Sequence, residues 1–310
     1  MSHPELSVYL TTYTDGPHHD WPATLALAQA MDEARVDRLV VSDHVAFGED
    51  FAAYGDPALG GTAGGRQPTG PDGAWLEPIA VLTAIAATTT RIRLGTSILL
   101  AALRRPAVLA KQLATLDVIS AGRLDVGVGV GWQREEYEAC GLPFEGRGRL
   151  LDHTLEVCTT LWTQHRASYE GPEFSFDGIH QMPKPVQSDG VPLWISGTVN
   201  RAVVRRLARF GSGWIPWGAD LADLRGSIPA MKQALRDAGS DPSSLKVQGA
   251  VRARRDDDGG VDYRATVAAV PDLVAAGVTD FRVAMPLPPE RDRATEVLAQ
   301  LVEAFRAVTR

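Results

Sequence analysis

Apolar positions along the chain follow two alternating rhythms. Short runs rich in Val, Ile and Leu are each followed by a longer stretch whose apolar residues recur every three or four positions. The short runs, at 6–12, 38–42, 91–100, 124–130, 191–197, 213–216, 245–253 and 279–284, are predicted strands. The longer ones, at 21–34, 77–90, 106–119, 150–162, 200–210, 221–238, 263–276 and 289–308, are predicted helices. In the first helix Leu25, Ala28 and Met31 share a face, and in the second Pro78 sits where a first turn tolerates it. Eight strand–helix units in one chain predict a closed (β/α)8 barrel, an α/β fold forming one domain over residues 1–310. A doubly wound open sheet is excluded: it calls for fewer strands and for G-x-G-x-x-G after the first, whereas residues 11–16 read TTYTDG.

Two stretches break the rhythm. Residues 48–74 follow the second strand, carry Gly60, Gly61, Gly64 and Gly65, and hold few large apolar side chains. They leave the C-terminal end of a strand, where barrel active sites are assembled, and are read as a mobile lid. Residues 165–188, with prolines and aromatics, form an insertion before the fifth strand.

Composition narrows the class. Of 310 residues, 45% are hydrophobic and 22% charged, which suits a globular chain able to bury a large core without disulfides. The formal charge of −7 is scattered, which argues against a nucleic-acid partner. Cys140 and Cys158 match no metal or redox spacing and read as free thiols in a reducing compartment. Residues 1–10 lack a basic segment followed by an apolar one, and no apolar run reaches membrane-spanning length. The expectation is a cytoplasmic protein acting on a small molecule, without a membrane or a nucleic acid as partner.

Four places carry candidate chemistry. Ser42, Asp43 and His44 end the second strand, where ionisable side chains face the barrel mouth; His44 can exchange a proton near neutral pH, or simply tie down the loop. Gly95, Thr96, Ser97 and Ile98 interrupt an apolar strand, implying a bulge, a close backbone approach or a strand end. Gly127, Gly129 and Gly131, followed by Trp132, leave one side of a strand bare, for a flat ligand or for close packing. Ser196, Gly197 and Thr198 precede a helix, whose free N–H groups suit a phosphate, or an ordinary cap through Thr198 or Asn200.

In order, the segments VSDHV (41–45), RIRLGTSIL (91–99), RRPAVLAKQLATLD (104–117), GRLDVGVGVGW (122–132) and KPVQSDGVPLWISG (184–197) resemble the luciferase-like superfamily, particularly its coenzyme F420-dependent branch. The resemblance spans essentially the whole chain. It implies that Asp43 and His44 lie at the redox edge of a bound deazaflavin, with His44 donating or accepting the proton. It implies a non-prolyl cis peptide at Ser97–Ile98 behind the ring, a phosphate held by Ser196, Gly197 and Thr198, and a cavity lined by Gly129, Gly131 and Trp132. A homodimer is also implied. The chain departs from the sugar-phosphate dehydrogenases of that branch. Gly48 stands where they carry Trp, Trp132 where they carry an acid, with Glu135 and Glu136 a turn later, and Asp220 near where they carry Lys. With Trp214 and Trp217 also near the mouth, a flatter and less charged substrate is expected. Two other functions use the same pattern: a monooxygenase taking reduced FMN, and a non-catalytic flavin-binding barrel.

Overall fold

A computed structural model describes residues 3–16, 19–172 and 174–310. Met1 and Ser2, at the head of the segment read for a leader, and Glu173, in the insertion, lie outside the described residues.

Eight parallel strands close into a barrel: Glu5–Tyr9 (β1), Arg38–Val41 (β2), Arg93–Leu99 (β3), Leu124–Val128 (β4), Leu193–Gly197 (β5), Gly211–Pro216 (β6), Lys246–Arg252 (β7) and Asp280–Ala284 (β8). Each pairs with its sequence neighbours, and β8 closes on β1 through Leu6 opposite Phe281 and Val8 opposite Val283. All eight predicted strands are present, and the (β/α)8 expectation holds. Alternation along each strand sorts its side chains. Leu6, Val8, Leu39, Val41, Leu94, Leu124, Val126, Phe281 and Val283 are buried in the apolar core with the helices. The opposite faces of β1, β2, β4, β7 and β8 send Ser7, Arg38, Asp125, Gln248 and Asp280 into the barrel, where they bond to one another.

The helices start where the sequence supplies caps. Asp20 accepts the Ala23 N–H at the head of Trp21–Glu33 (α1), and Glu77 accepts the Ala80 N–H at the head of Pro78–Ala86 (α2). Pro106–Ile119 (α3), Arg134–Ala139 (α4), Arg147–Thr163 (α5) and Arg201–Phe210 (α6) follow. The helix predicted over 221–238 is two, Ala219–Ala222 (α7) and Leu224–Asp237 (α8), because Asp223 caps the second by accepting the Gly226 N–H. The one predicted over 263–276 also divides, into Tyr263–Val267 (α9) and Val270–Ala276 (α10). Pro271 is the cause: it has no N–H, and its ring clashes with the carbonyl four residues back, at Val267. Arg291–Thr309 (α11) closes the ring of helices.

Both irregular stretches contain structure that periodicity did not predict. The insertion is an antiparallel hairpin, Ala167–Glu170 with Ser175–Ile179. The loop at 48–74 folds through two single turns, Ala52–Gly55 and Pro57–Leu59. Its far end, Ala74–Trp75, pairs with Tyr13–Thr14 beyond β1.

Candidate active site

At the rim, β2 runs directly into Asp43 and His44, which face different partners. Asp43 is buried, and its carboxylate accepts from Arg104 through both oxygens (2.6 and 3.0 Å) and from the Leu100 N–H (2.8 Å). The side chain thus ties the end of β2 to the segment after β3. The imidazole of His44 turns instead to Glu136 on α4, its Nδ1 lying 3.3 and 3.4 Å from the two carboxylate oxygens. The same carboxylate accepts the Val45 N–H at 2.5 Å. The imidazole is therefore oriented by Glu136 and not by the adjacent Asp43. Glu136 is 1% exposed, and its carboxylate can accept an Nδ1–H from His44 in the tautomer that carries the proton there. His44 Nε2 is left with no hydrogen-bond partner among the described residues.

Inside the rim lies a polar floor. Tyr9 donates to Ser42 Oγ at 2.6 Å, with the Tyr13 phenol beside it. Burial pushes both phenols above their ordinary range. Ser97 accepts from Arg282 (2.7 Å) of β8 across the barrel and approaches Gln248 (3.4 Å) of β7. The Ser97–Ile98 peptide is cis.

Gly127 of β4, and Gly129 and Gly131 just past it, make room for protein rather than for open space. A Cβ on Gly127 would sit 2.2 Å from the Thr96 carbonyl oxygen, and one on Gly129 would sit 2.5 Å from Ile98 Cδ1. Gly131 turns with φ +71° against the Leu100 side chain. Close packing decides these positions, while Trp132 does face the mouth.

Aromatic rings cover the floor. His44 meets Trp75 edge-on (4.8 Å) and Trp132 (6.1 Å); Phe47 and Phe51 of the covering loop pack against Trp75 and Trp132, and Tyr54 against Trp132 and Trp217. Trp217 donates to the Gly60 and Gly61 carbonyls (3.1 and 3.0 Å), and Arg147 to that of Leu59 (2.8 Å), pinning the loop over the opening. Trp214 belongs elsewhere. It is fully buried and donates to the Gly197 carbonyl (2.9 Å), so it joins β6 to β5 and lines nothing.

At the end of β5, the cap reading is realised through Asn200, which accepts from Ala202 and Val203 (3.0 and 3.1 Å). Asp220 takes the Val199 N–H at 2.5 Å. A phosphate at Ser196, Gly197 and Thr198 would therefore meet a helix end already capped and a carboxylate nearby.

The fold thus gathers Asp43, His44, Ser97, Ile98, Trp132 and Ser196–Thr198 at the C-terminal rim of adjacent strands; a Cβ on Gly129 would touch both Ile98 and Ser196. A deazaflavin or flavin fits the residues present at the ring end. Trp132 Nε1 is buried without a hydrogen-bond partner, and such a donor suits the acceptor edge of a bound ring. Sequence reasoning missed Glu136, Tyr9, Tyr13, Trp75 and Arg282 as members of the site. Tyr9 and Arg282 were signalled by polar residues on the interior face of apolar strands. Among the described residues no helix is long and apolar enough to cross a membrane, and no cluster suits a metal ion.

Comparison with known proteins agrees with the barrel fold. Residues 4–269 match the family model described as luciferase-like monooxygenase. An uncharacterized protein of Mycobacterium tuberculosis is 36% identical over 54% of this chain and 58% of its own length. An F420-dependent glucose-6-phosphate dehydrogenase of Segniliparus rotundus is 32% identical over 57% of this chain and 53% of its own length. The chain thus spans under two thirds of these relatives. Among solved structures, the oxygenating constituent of 3,6-diketocamphane monooxygenase from Pseudomonas putida, in complex with FMN, shares the fold. Its TM-score is 0.72 at 14% identity, covering 98% of each chain.

Proposed function

The chain belongs to the luciferase-like monooxygenase family, and from that premise we propose an oxidoreductase that moves a hydride between coenzyme F420 and a small organic molecule. The observation that carries the reading is the His44–Glu136 pair beneath the aromatic cover. With Nδ1 committed to Glu136, Nε2 can donate or accept the proton that accompanies hydride transfer. Asp43 fixes the backbone from which His44 projects, and Phe47, Phe51 and Tyr54 keep water from the reacting atoms. Ser97, Ile98 and Trp132 would hold the ring, with Gly129 and Gly131 letting Ile98 and Leu100 pack behind it, and Ser196, Gly197 and Thr198 the phosphate, once Asp220 gives way. When bound, a deazaflavin supplies two-electron chemistry and the protein supplies orientation and the proton path.

Titration of the purified protein with F420 and with FMN, read by quenching of Trp fluorescence, tests this reading. F420 should bind at least about tenfold more tightly. The reverse order hands the site to the reduced-FMN monooxygenase reading, and binding of neither removes both. F420 bound with no turnover of any substrate would leave a non-catalytic flavin-binding barrel.

A homodimer and a cytoplasmic setting complete the proposal. Val108, Val118 and Ile119 of α3 and Ile179, Met182 and Val186 of the insertion are exposed apolar side chains. Gln181 and Lys111 bond across the two segments, which makes one surface for a second copy. Sedimentation should give twice the chain mass, and a monomer mass would remove this part. The free cysteines Cys140 and Cys158 suit a reducing compartment.

A further inference from the structure

We propose that Arg282 anchors a singly charged carboxylate of the substrate, in the half of the barrel mouth formed by β8, β1, β2 and the loop at 48–74. The inference rests on the site assignment above and names the substrate class for it.

Arg282 lies two residues beyond Asp280 on β8, so both project into the barrel, one layer apart. Their surroundings differ. Asp280 is held by Arg38, Ser7 and Gln248. Arg282 donates to the neutral Ser97 hydroxyl, and among the described residues no carboxylate lies within ion-pair distance of it. The other groups that act on it electrostatically are the Tyr9 and Tyr54 phenols and, one layer below, Asp280. Burial pushes both phenols above their ordinary range, so they stay neutral. A guanidinium remains charged even where burial disfavours it, and a recessed charge without its own partner costs stability unless something brings the opposite charge.

Geometry says what brings it. Ser97–Ile98 and Ser196–Gly197 lie on β3 and β5, and Gly129 and Thr198 just past β4 and β5, the half assigned to the cofactor. Arg282 approaches from β8 on the other side, among Tyr9, Tyr54 and His44's neighbours. The nearby Tyr13 and Trp75 rings stack at 4.1 Å and 17°, giving that side of the mouth a flat aromatic wall. The other arginines at the rim are engaged: Arg104 with Asp43 and Glu77, Arg147 with the Gly131 and Leu59 carbonyls. One cation without a carboxylate partner matches one negative charge, and its fork can hold a carboxylate through two parallel N–H···O bonds.

Benzoate and its neutral isostere benzamide probe the site directly, by calorimetric titration of the unmodified protein. Benzoate should bind at least about tenfold more tightly, a difference that shrinks with added salt. Arg282→Met should abolish that preference while leaving benzamide binding within about twofold, and Arg282→Lys should restore part of it. Equal affinity of the unmodified protein for the two probes overturns the proposal without any variant. So does an Arg282→Met protein that loses F420 while still preferring benzoate, which would make Arg282 a cofactor residue. If neither F420 nor FMN binds while the benzoate preference stands and depends on Arg282, the redox reading fails and this one survives.

Discussion

Replacing His44 by Ala should lower turnover with the accepted cofactor and substrate by about 10²–10⁴-fold, the range that a positioned acid or base contributes. F420 affinity should change by no more than about threefold, because the ring is assigned to Ser97, Ile98 and Trp132. Added imidazole should recover part of the rate. Glu136→Gln separates positioning from simple support. Its amide oxygen can still accept the Val45 N–H, but its NH2 then faces His44 Nδ1. That arrangement favours the tautomer with the proton on Nε2, so the variant should lose about 10–100-fold where His44 must accept a proton, and less where it must donate. A merely structural Glu136 would give equal losses in both directions, with thermal stability falling alongside. Unchanged turnover in His44→Ala would sink the acid–base role altogether.

The difference between what sequence made legible and what it did not follows from range. Strands were legible because a strand covered by helices on its outer face carries a run of apolar residues that stands out locally. The break after Val267 was hidden because Pro271, which causes it, acts four residues upstream of itself. His44 was legible from its place at a strand end. Glu136 was visible only as the second of two acids after Trp132, and its contact with His44 spans 92 residues. No periodicity reports a pairing at that distance, and Asp43, adjacent in sequence, bonds to Leu100 and Arg104 instead. The glycines in and just past β4 illustrate a further ambiguity. A bare strand face fits a ligand ring as well as it fits Ile98 and Leu100, and only the packing distances decide between them.

Arg38→Met should be the most destabilising of the substitutions considered, by about 3–5 kcal/mol, since it strands buried carboxylates. Arg38 is 3% exposed and bonds to Asp125 (3.0 Å), Glu5 (2.7 Å) and Asp280. Its guanidinium also lies 5.2 Å from the Trp194 ring centre. The melting temperature should drop by about 5–8 °C, given the unfolding entropy expected for a chain of this length. The acid dependence follows from the two aspartates. Burial resists ionisation of Asp125, but Arg38 and Arg93 outweigh it and hold its carboxyl below the usual 3.8. Its stabilising share is therefore present above that value and lost as pH falls through the lower folded one. Asp280 is the reverse: burial keeps its carboxyl above 3.8 despite Arg38, so its ionised form costs stability at neutral pH and acidification relieves the cost. Without Arg38 both carboxyls move upward, and the stability gap between variant and parent should narrow as pH is lowered from 7 towards about 4. Urea unfolding at several pH values checks both parts. A gap that widens on acidification, or a loss under about 1 kcal/mol at pH 7, would show that the carboxylates find compensation elsewhere. Adding Asp280→Asn to Arg38→Met should recover part of the loss, because the amide can keep the Ser7 and Gln248 hydrogen bonds without the stranded charge.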